Sequence, residues 1–136
     1  MVLETAQLLS TAVHVLAPDY AARGFTLYRP THANHPCAVW TRTSQYNFGW
    51  LQKHGIRLAA KYERRYDQTH ASLAVIAGIR SVHLPFTSIT RTSHPNCTPH
   101  KDVHPTTEAY RLTLREKWAA DARPPRWTRD QPPEWR

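Results

Sequence analysis

A helix of about six turns with no strong breaker constrains this chain more than any other stretch of it. Residues 44 to 66 read SQYNFGWLQKHGIRLAAKYERRY. The Ser44 hydroxyl can accept an orphan N–H of the first turn, so the spacing predicts a helix from Gln45 to Tyr66. Gly49 and Gly55 weaken it without ending it. Phe48, Leu51, Gly55, Leu58 and Tyr62 recur at intervals of three and four, the period of a buried stripe. Lys53, Arg57, Lys61 and Arg64 recur four, four and three apart on another face. Like charges at that spacing repel, so this ridge costs the helix some stability. Two readings stay open: an ordinary solvated face, or a rail for phosphates. From Lys53 to Arg64 the helix rises roughly 17 Å, about five phosphates' worth of axis on one DNA strand.

The rest of the chain reads as an all-α protein, because no segment alternates at period two for long enough to make a strand. A first helix is expected over residues 2 to 16, with Val2, Ala6, Leu9, Val13 and Leu16 on its apolar face and Pro18 ending it. It is under way by the second residue. That beginning implies either that Met1 lies within the element or that a leading segment has been lost. Residues 18 to 35 read as a loop punctuated by Pro18, Gly24, Pro30 and Asn34, with Phe25, Leu27 and Tyr28 tucked beneath it. Pro36 suits a first helical position, and a short helix follows from Cys37 to Thr43. A weak helical patch covers Ser72 to Gly78. From 79 to 107 four prolines interrupt any pattern, giving a long irregular loop. Thr107 is expected to cap a last helix over Glu108 to Asp121, with Tyr110, Leu114 and Trp118 inward. The tail, 123 to 136, holds two Pro-Pro pairs, and Trp127 and Trp135 would tie it back.

At 136 residues the chain is expected to form one domain, with a radius of gyration of about 14 Å. Such a length buries enough surface for a core without staples. Lysine and arginine outnumber acids 18 to 10, for a net charge of +8. A pI near 10.0 bears on partners, and DNA is the leading one. No apolar run approaches the ~20 residues of a membrane span, and no signal peptide is evident, so no membrane partner is expected. With two cysteines and no sign of secretion, a cytoplasmic location follows. Gly-rich phosphate cradles and the His-Glu-x-x-His motif are absent from the sequence.

Two clusters carry possible chemistry. His32, Asn34 and His35 could grip a phosphate or a flipped base, or share in proton transfer. The other reading has them capping the following helix. Trp40 and Arg42 follow closely, offering an indole for stacking and a guanidinium for phosphate, although Trp40 fits a core equally well. Further on, His94, Cys97, His100 and His104 are spaced three, three and four. Their donors match a tetrahedral zinc in number and type, against the alternative of a metal-free surface loop. No cofactor is otherwise expected.

The blocks LETAQLLSTA at 3–12, YRPTHANHPCAVWTRTS at 28–44, RY…TH at 65–70, EAYR at 108–111 and WTRDQPPEW at 127–135 resemble a family of small phage proteins. That family is loosely related to the pyrimidine-dimer DNA glycosylase (endonuclease V-like) group of basic, all-helical proteins. The resemblance implies host cytoplasm, DNA as partner and excision of damaged pyrimidines by glycosidic-bond cleavage. It implies Glu4 as the catalytic acid that stabilises positive charge on the sugar as the base leaves; His32 and His35, read from their own chemistry, are the other catalytic candidates. Asn34, Trp40, Arg42 and the four-cation ridge would then hold DNA. Departures are visible: relatives carry a basic lead-in before this glutamate, an acid in place of Lys61, and Gly-Lys in place of Asp67-Gln68. The alternative function is a non-catalytic accessory phage protein on the same scaffold, binding nucleic acid or protein in a virion or anti-defence role and stabilised by zinc.

Overall fold

The computed structural model describes residues 1–21, 24–79, 84–123, 125–127 and 129–136. Positions 80–83 of the expected loop and 124 and 128 of the expected tail lie outside them. Six helices occupy the described residues: α1 (Val2–Leu16), α2 (Pro18–Ala21), α3 (Pro36–Thr43), α4 (Gln45–Tyr66), α5 (Ser72–Ile79) and α6 (Thr106–Ala120). Among these residues there is no strand, and the protein is all-α. No helix is long and apolar enough to cross a membrane. The chain divides into two compact units, Met1–Thr92 and Ser93–Arg136. The division falls inside the proline-broken stretch.

In the first unit the hub is α1, which packs against α3, α4 and α5 as well as its neighbour α2. Of its expected apolar stripe, Val2, Ala6, Leu9 and Val13 are buried and Leu16 is half-buried. Thr5, Ser10, Thr11 and Ala12 are buried too, so the helix is enclosed on most sides. Small side chains make this possible, because they let several helices approach one axis closely. The hydroxyls remain satisfied: Ser10 Oγ accepts from the Tyr28 amide at 3.2 Å, and Thr11 Oγ1 accepts from the Thr31 amide at 3.1 Å. Those two bonds lay residues 28–31 along α1. Leu27 and Tyr28 are half-buried against the core, while Phe25 stays 40% exposed.

The α4 boundaries coincide with the sequence reading, and Ser44 Oγ accepts from the Asn47 amide at 3.1 Å as the N-cap. The buried stripe is rotated slightly from the expected one. Phe48, Leu51, Gln52, Gly55 and Ala59 are buried, whereas Leu58 and Tyr62 are half-buried. Gly55 sets this rotation. A Cβ there would stand 2.6 Å from Thr5 Cγ2 and 3.0 Å from Ile76 Cδ1, so α1 and α5 both close on the bare backbone. Asp67 ends the helix in the left-handed region (φ 51), its amide donating to Glu63 O at 2.8 Å. Val75, Ile76 and Ile79 of α5 complete the core.

The second unit is α6 with an irregular lead and a folded-back tail. Thr107 does not cap α6. The helix starts two residues earlier than expected, at Thr106 behind Pro105, with no side-chain cap. Trp118 meets Trp127 edge-on and stacks on Trp135, both at 5.5 Å, and Arg115 Nε donates to Trp135 O at 2.6 Å. Both tail tryptophans therefore anchor as expected, on α6.

Candidate nucleic-acid interface

Lys53, Arg57, Lys61 and Arg64 are all exposed. At 100° per residue they fall within an arc of about 80°, centred roughly 170° from the Phe48–Leu51–Gly55–Ala59 stripe. Burying one side of α4 thus forces the cations to the other. The single acid of this helix, Glu63, lies outside that arc, and its Oε1 accepts from Thr69 Oγ1 at 3.2 Å.

A fifth cation, missed in the sequence, joins the N-terminal end of this face. Arg91 lies over the Tyr46 ring at 5.9 Å. It is carried there by an extended segment pinned to the start of α4: the Gln45 amide donates to Ser88 O at 2.9 Å. Buried Asn47 donates to Thr92 Oγ1 at 2.7 Å and accepts from the Thr92 amide at 3.3 Å. Trp40 Nε1 donates to Thr92 O at 3.3 Å. Beside the ridge lie two further residues that sequence reasoning passed over. Trp50 and His54 stack at 5.1 Å with their planes 10° apart, and Trp40 packs edge-on against Trp50 at 5.8 Å. The signal was present as the i, i+4 series Tyr46, Trp50, His54 running beside Lys53, Arg57 and Lys61. Burial, and then the neighbouring Arg57 guanidinium, hold His54 below the ordinary imidazole range, so it adds a neutral ring to the face at pH 7.

The His32–Arg42 block is engaged differently from the expectation. Arg42 Nη1 donates to Ala33 O at 2.5 Å, so its guanidinium holds the loop. His35 is the N-cap of α3, with Nδ1 accepting from the Cys37 amide at 3.2 Å. Its ring proton therefore sits on Nε2. His32 takes the left-handed region (φ 47), its Nδ1 lying 2.7 Å from Thr31 Oγ1 and its carbonyl accepting from the His35 amide at 2.8 Å. Asn34 is exposed at the loop tip, and Trp40 is half-buried. Of the block, Trp40 meets the α4 face, edge-on at Trp50.

Glu4 is exposed at the start of α1, where it pairs with the Met1 ammonium at 3.1 Å. The block docks on α1 at Thr11. Seven residues, roughly 10 Å of helical rise, separate that point from Glu4. Glu4 is thus engaged in a local ion pair, and His32 and His35 in hydrogen bonds of their own loop.

His94, Cys97, His100 and His104 do not converge either. Among the described residues, no three of the four bring ligand atoms into one cluster. His100 Nε2 lies 2.7 Å from Glu116 Oε2. Hydrogen bonds hold the irregular segment in their place: Asn96 Oδ1 accepts from the Thr98 amide at 3.1 Å and from Thr98 Oγ1 at 2.7 Å, and Asn96 Nδ2 donates to His100 O at 2.8 Å. Tyr110 Oη donates to Pro95 O at 3.1 Å.

Comparison of the chain with protein-family models, curated proteins and solved structures finds no match.

Proposed function

We propose that the protein binds nucleic acid, DNA foremost, through the solvent face of α4. The observation that carries this reading is the line of exposed cations opposite the buried stripe, extended by Arg91 at one end. A net charge of +8 supports it, since a polyanion gains from releasing counterions at each cation it meets. The reading is of a binding protein. Glycosidic-bond cleavage would require an acid beside the bound strand, and Glu4 is held in a local pair with the Met1 ammonium.

Titration of a labelled DNA duplex at several salt concentrations tests this. Five phosphate contacts give a slope of log K against log salt of about −4.5. Replacing Arg57 and Lys61 by Gln shrinks it by about 1.8 and weakens binding at low salt. An unchanged slope would return the ridge to solvent and end the proposal.

A further inference from the structure

Resting on that reading, we infer that the α4 face is built for unpaired nucleobases: its preferred ligand is a single strand, whose bases stack on Tyr46 and on the Trp50–His54 pair. Two parallel tracks carry the inference. Tyr46, Trp50 and His54 step along α4 one turn at a time, each about 6 Å further on. Lys53, Arg57 and Lys61 step in the same way, with Lys53 and Arg57 three residues beyond Trp50 and His54, so the two series form neighbouring ridges. One track offers rings and the other offers charge, in the arrangement that a strand with bases to one side and phosphates to the other requires.

A duplex would use only half of this surface. Its base faces are covered by their neighbours, so it could meet the cations and leave the rings without a partner. Tyr46 is 43% exposed, a cost that burial in the core would avoid. The ring is nonetheless held in place, with the Arg91 guanidinium over one of its faces at 5.9 Å and the other face left for a base. Trp50 is braced edge-on by Trp40, whose own Nε1 is fixed to Thr92 O. Rings braced in this way lose little freedom when a base stacks on them.

Competition at matched salt tests the inference, with oligo-dT and oligo-rU as the unpaired strands and a mixed-sequence duplex as the paired one. Oligo-dT is expected to bind at least tenfold more tightly than the duplex, and the oligo-rU arm shows whether the sugar matters. Tyr46→Ala is expected to lower oligo-dT affinity by about five- to hundred-fold. Duplex affinity should stay within about twofold, and Tyr46→Phe should restore stacking. Far-UV circular dichroism confirms that these exposed-site variants stay folded. If duplex and single strand bind equally and Tyr46→Ala alters neither, the inference fails while the basic-face reading stands. If neither nucleic acid binds, that underlying reading has failed as well.

Discussion

Two glycines of the same helix should respond to the same substitution with opposite sign. Gly49 and Gly55 both lie inside α4, and replacing either by Ala removes about 1 kcal/mol of unfavourable helix propensity. At Gly49 an added Cβ meets nothing within 4 Å, so that gain should appear nearly whole, as a stabilisation of about 0.5–1 kcal/mol. At Gly55 the same methyl would lie 2.6 Å from Thr5 Cγ2, about 1 Å inside a comfortable carbon–carbon contact. Ile76 Cδ1, at 3.0 Å, ends a flexible side chain and can yield. Thr5 cannot easily do so. Its Cβ is branched, and its Oγ1 donates to Met1 O at 3.0 Å, so turning the methyl away breaks that bond. The helices must separate instead, at about 1–3 kcal/mol. Because the propensity gain cancels between the two variants, their difference measures this overpacking directly. Urea unfolding followed by far-UV circular dichroism gives both values by linear extrapolation. Thr5→Ser then deletes only the offending methyl and keeps the hydroxyl, so in that background the Gly55→Ala penalty should fall by about 1 kcal/mol or more. Equal stability of Gly49→Ala and Gly55→Ala, or a difference that Thr5→Ser leaves intact, would refute the close approach of α4 and α1.

Asn47→Leu removes the bonds to Thr92 and to Trp40 O while filling similar space. It should cost about 1–3 kcal/mol and, by releasing Arg91, weaken nucleic-acid binding at low salt; unchanged affinity would detach Arg91 from the face. The His54 ring, followed by proton NMR, should titrate below the ordinary value of about 6.5, because burial and then Arg57 disfavour its charged form. In linkage terms the unfolded chain then binds more protons at this site, so its contribution is complete above about pH 6.5 and is lost as pH falls towards the lowered folded value. Arg57→Gln should move the NMR midpoint upward, and an unmoved midpoint would assign the shift to burial alone.

Much of the fold could be read from the chain because its signals are local. Ser44 and the three–four periodicity after it set the limits of α4, and Pro36 set the start of α3. The reading of residues 18 to 35 as loop from its first residue failed by the same local logic. Proline was taken as a terminator of α1, which it is, but a proline also suits a first helical position, and α2 begins on it. What could not be read is whatever depends on which surfaces meet. The small residues of α1 look unremarkable in sequence, yet they are what lets α3, α4 and α5 crowd around it. The same division runs through the site. Exposure of the ridge followed from the apolar stripe, since a helix that buries one side must show the other. The use of each cation followed from nothing local: Arg42, flanked by an aromatic and three threonine or serine residues, resembled a phosphate ligand and instead holds Ala33 O. Arg91, set among prolines and hydroxyls, resembled nothing and is carried to Tyr46 by an asparagine far off in sequence. A charged side chain is available to a ligand only when the fold has not already used it. The ridge passes that test at Lys53 and Arg57, which stand one turn apart at a like-charge cost of roughly 0.2–0.5 kcal/mol. A partner of opposite charge would turn that repulsion into binding energy, and α4, capped at Ser44 and locked at Gly55, is rigid enough to bear the cost while waiting for it.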